Sequence, residues 1–359
     1  MKLLLSFRTF VGLIGDAQLE HRGSGRQSFL HAQQRGELPT SIEAVYGELR
    51  RLPIPLSLGF LERGSARLRE LLPGPIPTWV APACLAGLDP IALDGKALKN
   101  VAKRLKATRG APGKISGGKP LVALDLGSGL VLTTVADPGG EANEARLLPE
   151  LLVRMAAQVS GHRLWIADRQ FGDPVQIGRF LEREGDHVDP ERPTLSGRDD
   201  RGRAVVEDLG WLGAASNKRR RYVRRVALIR PGEESVVLLT DLLEGADYPA
   251  TDLLAVYLAR WGIERVFQQM TEVFALGRLI GSTPQAAIFQ AAFCLLLYNM
   301  IQVVRSYLAE AGPVGCQVED LSSEQIIIDV RRQLIAASEL MGRTALAAAH
   351  RPMTAEEFR

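Results

Sequence analysis

The sequence predicts an α/β fold with a small all-α unit at its N-terminus and a β-rich insertion in its second half. Three observations carry that reading. Apolar residues recur at helical spacing through roughly the first 90 positions, two β-branched apolar runs flank Gly127-Ser128-Gly129, and from Asp252 onwards helical spacing returns. With 359 residues, 46% hydrophobic and 24% charged, the chain is long enough for two or three domains with a real core and lacks the composition of bulk disorder.

Taken in order, Thr40 and Ser41 offer caps to the helix SIEAVYGELRRL, and FLERGSARLRELLPG ends at a Pro-Gly breaker. After the Pro-rich link PGPIPTWVAP the pattern changes. IALDG reads as a strand and LVALDLGSGLVLTTVAD as a hairpin. EANEARLLPELLVRMAAQV follows as a helix, RLWIAD as a short buried strand, and DPVQIGRFLEREG as another helix. RAVVEDLG, YVRRVALIR and SVVLLTD form a second β-rich stretch over roughly 200–242. YLARWGIERVFQQM, residues 257–270, reads as one amphipathic helix, and FQAAFCLLLYNMIQVV, with Gln and Asn inside it, as a buried helix and not a membrane span. The expected units are a helical domain over 1–80 with DNA binding as its candidate role, an α/β core over 81–198 and 248–310, a β-rich insertion over 199–247, and a helical C-terminal tail over 311–359. No internal repeat is visible.

Charge and cysteine usage narrow the class. Lys and Arg total 44 against 41 Asp and Glu, a net charge of +3, so any polyanion-binding surface must come from clustering. Cys84, Cys294 and Cys316 are far apart and form no C-x-x-C pair, which argues against a zinc site or a disulfide framework and for a reducing compartment, the cytoplasm. Arg8 interrupts the apolar N-terminus and no small-residue cleavage site follows, so neither a signal peptide nor a membrane span is expected. The five histidines have no metal or triad spacing. GKISGGKP nearly matches a phosphate-binding loop, but Pro120 replaces the required Ser or Thr and no apolar strand leads into Gly113.

Two carboxylates fall at strand ends, Asp94 in IALDG and Asp168 after RLWIA, and a third, Glu264, lies on the 257–270 helix. Each alone has an ordinary reading, as an Asp-Gly turn, a helix cap or half of an i,i+4 pair with Arg260. Carboxyl ends of neighbouring strands, however, meet at one edge of an α/β sheet, where a flanking helix can deliver a further ligand. Carboxylates so gathered repel one another unless a cation sits between them, and hard oxygen ligands suit two Mg²⁺ or Mn²⁺ ions and phosphoryl chemistry. Asp125 competes as a strand carboxylate that faces the same edge, while Asp173 and Glu144 read as helix-start residues.

Around these carboxylates the sequence resembles a known family. IALDGK with Asp94, WIADRQFGD with Asp168 and above all YLARWGIERVFQQM look like the DDE transposases of bacterial insertion sequences, in the branch named for insertion sequence 4. That branch carries a Tyr-x-x-Arg-x-x-x-Glu-x6-Lys signature, and Tyr257, Arg260 and Glu264 match it, with Trp261 and Ile263 in the usual flanking places. Thr271 stands at the lysine position. The resemblance runs from about Ile91 to Val304. It implies an RNase H-like catalytic core interrupted before the Glu-bearing helix by a β subdomain, with Asp94, Asp168 and Glu264 as catalytic and metal-binding residues. It also implies double-stranded DNA as partner, at transposon ends and target, with a homodimer or higher oligomer in the DNA complex and a nucleoid-associated place in the bacterial cytoplasm.

The charge distribution bears on the same question. The segment from Lys96 to Lys119 holds eight basic residues, Lys96, Lys99, Lys103 and Arg104 among them, and no acidic one. Lys218, Arg219, Arg220 and Arg221, with Arg224 and Arg225, form a second cluster in the β-rich stretch, where Tyr222 could stack on a base. Tyr257, Arg260 and Trp261 complete the candidate DNA-binding set. Two other classes remain open: a catalytically inactive DNA-binding derivative, and a metal-dependent nuclease of RNase H-like fold.

Overall fold

The computed structural model describes residues 5–73, 79–98, 118–139, 143–158, 161–172, 195–213, 218–313 and 316–341, with Val175 and Ser216. Helices α1 (Phe7–Leu19), α2 (Gly25–Gln34), α3 (Ile42–Arg51) and α4 (Ile54–Glu70) come first. Ser6, Ser24 and Ser41 cap the first three, each hydroxyl accepting from a backbone N–H three residues on. Strands β1 (Leu88–Gly95), β2 (Lys119–Asp125) and β3 (Val131–Asp137), helix α5 (Leu148–Ala156) and strand β4 (His162–Ile166) follow. The helix expected over DPVQIGRFLEREG lies almost wholly outside the described residues.

The first sheet has the order β3-β2-β1-β4, with antiparallel β1–β2 and β2–β3 pairs and a parallel β1–β4 pair. Alternation along its strands sends Ile91, Leu93, Leu121 and Ala123 to one face, packed on Leu148, Leu151 and Met155 of α5. Ala92, Val122 and Leu124 go to the other face and join the main core. RLWIAD differs from its expected burial: β4 flanks only β1, and within it only Ile166 is buried.

Strands β5 (Leu195–Arg198), β6 (Ala204–Leu212), β7 (Arg221–Leu228) and β8 (Val236–Thr240) make a second, wholly antiparallel sheet in chain order. Helices α6 (Ala250–Ala259), α7 (Gly262–Glu272), α8 (Pro284–Ala311) and α9 (Ser323–Met341) complete the chain.

Helix α8 is the axis of the molecule. It is long and apolar enough to cross a membrane, yet 83% of its most apolar window is buried inside the protein. Phe289 and Phe293 meet Phe60 and, with Phe7 and Phe10, form an aromatic cluster that ties the N-terminal helices to it. Gly64 of α4 allows a close crossing, since a methyl group there would lie 2.5 Å from Leu296. The β2–β3 register slips between Ala123 and Leu124. Buried Asn299 of α8 binds both backbone groups of Val131 beside that slip, accepting from its N–H at 2.9 Å and donating to its carbonyl at 2.7 Å.

Candidate functional site

The β1–β4 register is Leu88↔His162 through Ala92↔Ile166. The pairing ends there, and Asp94 and Asp168 each lie two residues beyond it, at the carboxyl ends of these neighbouring parallel strands. Asp94 has the parity of Ala92, and Asp168 that of Ile166; both of those neighbours belong to the main core, where Ile263, Val266 and Phe267 of α7 also pack. Asp168 caps the short 3₁₀ turn Arg169–Phe171, its Oδ1 accepting from Gln170 N at 2.9 Å.

The 257–270 segment is two helices where one was expected. Between α6 and α7 the backbone tightens to i→i−3 bonds: Arg260 N to Tyr257 O, Trp261 N to Leu258 O, Ile263 N to Arg260 O and Glu264 N to Trp261 O. Gly262, a poor helix residue, opens the second helix directly after these bonds. The break corrects the shared polar face. Glu264 is exposed and Tyr257 half-buried, while Arg260 is only 7% exposed.

Arg260 pairs with Asp94, its Nη1 lying 3.6 Å from Oδ2, and not with Glu264 as the i,i+4 spacing suggested. Its guanidinium lies 5.8 Å from the Tyr257 ring centre and 5.7 Å from that of Trp261, which is 54% exposed. Arg260 Nε is buried and has no hydrogen-bond partner among the described residues. Lys96 sits over the Phe267 ring at 5.6 Å. Thr271 turns back on its own helix, its hydroxyl donating to Phe267 O at 2.8 Å.

Burial pushes the Asp94 carboxyl up to about 6. The Gly95 N–H, at 2.8 Å from Oδ1, and Arg260 oppose that rise, and the negative charges of Glu144 and Asp168 add to it. A half-buried carboxylate still short of positive charge, with the charge of a second acting on it, fits the oxygen donor set that a hard divalent cation takes. Among the described residues, however, no group of three or more His, Cys, Asp or Glu is gathered closely enough to hold a metal ion, and exposed Glu264 does not close the expected triad.

Sequence reasoning missed Glu144. It reads as a helix-start residue and does open the 3₁₀ turn Glu144–Arg146, but it is also 4% exposed and paired with Lys119 at 2.8 Å. Lys119, the last cation of the basic tract, is therefore neutralised by Glu144. Lys99, Lys103, Arg104 and Asp173 lie outside the described residues. Asp125 is a correction. Because β2 runs antiparallel to β1, Asp125 pairs with Ile91 at the opposite end of the sheet. There its carboxylate closes a turn, accepting from Gly127 N at 2.9 Å and Ser128 Oγ at 2.7 Å.

The second basic cluster also shrinks. Arg224 is 2% exposed and bound to Glu207 and to Tyr248 O, and Arg225 pairs with Asp208 at 2.9 Å. Tyr222 is 5% exposed and packs edge-on against Trp211, its partner across β6–β7, so no base can stack on it. Arg220 lies over the same Trp211 at 4.1 Å, Lys218 and Arg219 are exposed, and Arg221 is half-buried.

Residues 86–300, more than half of the chain, match the family model described as the transposase DDE domain. No curated protein matches the chain.

Proposed function

The chain belongs to the family of transposase DDE domains, and we propose that it cuts and joins DNA strands at the ends of an insertion sequence of the insertion sequence 4 branch. The observation that carries the reading is that Asp94 and Asp168 each lie two residues beyond the last paired position of the parallel strands β1 and β4, near enough for the charge of Asp168 to act on Asp94. Under this reading the sheet β3-β2-β1-β4 is the heart of an RNase H-like core over 81–198 and 248–310. The second sheet is its insertion over 199–247, residues 1–80 are a DNA-binding helical domain, and 311–359 are a C-terminal tail. Two protomers or more would pair the DNA ends.

Enzymes of this family generally use divalent metal ions. Asp94, Asp168 and Glu264 would hold Mg²⁺ or Mn²⁺, with Glu264 brought in from its exposed position. When bound, the cations supply an activated oxygen nucleophile and neutralise charge on the leaving oxygen. The chain's own residues do the rest. Asp94 at the end of β1 and Asp168 at the cap of the turn after β4 would set where the phosphodiester must lie. Arg260 keeps donors that Asp94 does not use, and its planar fork can take two phosphate oxygens at once. Tyr257 and Trp261 flank that guanidinium and hold its plane, with the exposed Trp261 ring offered to DNA. Lys96, at the exit of β1, and the Lys218–Arg221 hairpin contact the backbone further out.

Incubating the chain with duplexes from the boundaries of its own gene tests the reading. Mg²⁺-dependent nicking at the element's ends is expected. Cutting of any duplex without regard to those ends would point to a general nuclease, and binding without cutting to an inactive derivative.

A further inference from the structure

Between α1 and α2 the chain reverses in a short turn over residues 20–24, through two consecutive left-handed residues, Arg22 at φ 49° and Gly23 at φ 80°. A methyl group on Gly23 would lie 3.0 Å from Cβ of Arg278, and one on Gly25 2.5 Å from Cγ2 of Ile280, so the turn and the start of α2 sit directly on the segment that leaves α7. Ser28 Oγ donates to Leu13 O of α1 at 3.2 Å, and Phe29 packs edge-on against Tyr46 of α3, with ring centres 5.2 Å apart. Two helices joined by a tight glycine turn and backed by a third are the arrangement in which a helix-turn-helix presents its second helix to a DNA major groove.

Helix α2 has two distinct sides. Gly25, Ser28, Phe29 and Ala32 are buried, while Arg26, Gln27, Leu30, His31, Gln33 and Gln34 are exposed and share an arc of about 160°. From His21 to Gly36 the chain holds three arginines, two histidines and three glutamines, and no Asp or Glu. The side chains of Arg22, Arg26, Gln27, Gln33 and Gln34 make no hydrogen bond or ion pair among the described residues. A face needed only for solubility would mix charges of both signs. This one offers guanidinium and amide groups, which bind guanine and adenine edges two hydrogen bonds at a time, beside Leu30, 38% exposed, an apolar surface of the kind that meets a thymine methyl.

We propose that α2 is the helix by which the chain reads the sequence of duplex DNA: Arg26, Gln27 and Gln34 contact base edges in the major groove, with Leu30 between them, and Arg22 in the turn takes a backbone phosphate. The proposal rests on the reading of residues 1–80 as a DNA-binding domain. The close contacts at Gly23 and Gly25 fix the reading helix on the segment that leaves the Glu264-bearing helix, so the sequence recognised here is held at a set place relative to the site.

The test is fluorescence anisotropy of the full chain in chelator, on duplexes from the boundaries of its own gene and on a scrambled duplex of the same composition, at several salt concentrations. Neither a cation nor turnover enters. The wild type should prefer the boundary duplexes. The triple variant Arg26→Lys, Gln27→Ala, Gln34→Ala keeps the net charge and changes only exposed side chains. It should melt as the wild type does, hold the scrambled duplex with unchanged affinity and salt dependence, and bind the boundary duplexes about 10–100-fold more weakly. Arg22→Ala should weaken both kinds of duplex alike and lower the salt slope by about 0.9. A folded triple variant that keeps the wild-type preference would overturn the proposal, as would an equal loss on both kinds of duplex, which makes α2 a backbone contact only. Should the triple variant fail to fold, the three single variants replace it, and an unchanged preference in all three overturns the proposal equally. If the wild type prefers its own boundaries and the variants do too, or if the wild type binds every duplex alike, the role of α2 falls and the DNA reading stands; if the wild type binds no duplex, the DNA reading falls and the proposal with it.

Discussion

The tripeptide Ala-Leu-Asp occurs twice in the first sheet, at 92–94 in β1 and at 123–125 in β2, and the two copies have opposite fates. The strands are neighbours, paired Ala92↔Leu124 and Leu93↔Ala123, and antiparallel, so their carboxyl ends point apart. Asp125 enters a tight turn whose Gly127 N–H and Ser128 hydroxyl satisfy it. Asp94 leaves its strand between a buried arginine and two other carboxylates, with one backbone N–H to stabilise it. Both carboxyls are pushed up by burial, so burial alone does not tell them apart. The surroundings do. One aspartate is consumed by the local backbone, and the other faces charges brought from distant parts of the chain, where a ligand can decide its state.

Substitutions at the Asp94 end should break chemistry and leave the fold intact. Asp168→Ala and Glu264→Ala are each expected to reduce strand cleavage by at least about 10³-fold with DNA binding retained, as read by gel-shift and nicking assays on one preparation. Arg260→Lys keeps the charge beside Asp94 but loses the planar fork, and a misplaced phosphate should lower cleavage by about 10²-fold while melting changes little. A smaller effect sharpens the contrast through pH. Asp94 titrates in the native state at about 6, above its ordinary 3.8. Between those two values the folded protein keeps a proton that the unfolded chain has released, so this group's contribution makes stability fall as pH rises through the window. In chelator, Asp94→Asn should therefore melt a few degrees above wild type at pH 7.5 and lose that advantage by pH 4. Smallest is the effect of the β6–β7 hairpin: neutralising Lys218, Arg219, Arg220 and Arg221 together should flatten the salt dependence of duplex binding by up to about 0.9 for each phosphate no longer neutralised, measured by fluorescence anisotropy at several ionic strengths.

How much of this was legible in the sequence depended on range. Ser41 as a cap, the hairpin about Gly127-Ser128-Gly129 and the burial of FQAAFCLLLYNMIQVV are written in local spacing, and the structure has each of them. The partner of Arg260 is not. Spacing along one helix offered Glu264, whereas the segment is two helices and the guanidinium pairs with Asp94, a partner from a distant strand. Tyr222 looked available because its neighbours are charged, but in β7 alternate residues face opposite ways, and cross-strand pairing sets it against Trp211. Glu144 and Lys119 were hidden for the same reason. Each belongs to an ordinary local pattern, a turn start and a basic tract, and only the approach of the 3₁₀ turn to Gly95 joins them. The one sequence signal for it was a glycine directly after a strand-end aspartate.

The most direct measurement compares the two tripeptides in one assay: Mg²⁺-dependent cleavage of element-end DNA by Asp94→Asn and Asp125→Asn, each checked for wild-type folding by melting. Asparagine keeps the turn at 125, since its side chain can still accept from Gly127 N, so Asp125→Asn should cut within a few-fold of wild type. Asp94→Asn removes the charge on which a cation depends and should cut at least about 10³-fold more slowly. A folded Asp94→Asn protein that cuts normally, or a folded Asp125→Asn protein as inactive as Asp94→Asn, would contradict the placement of the chemistry at the carboxyl end of β1.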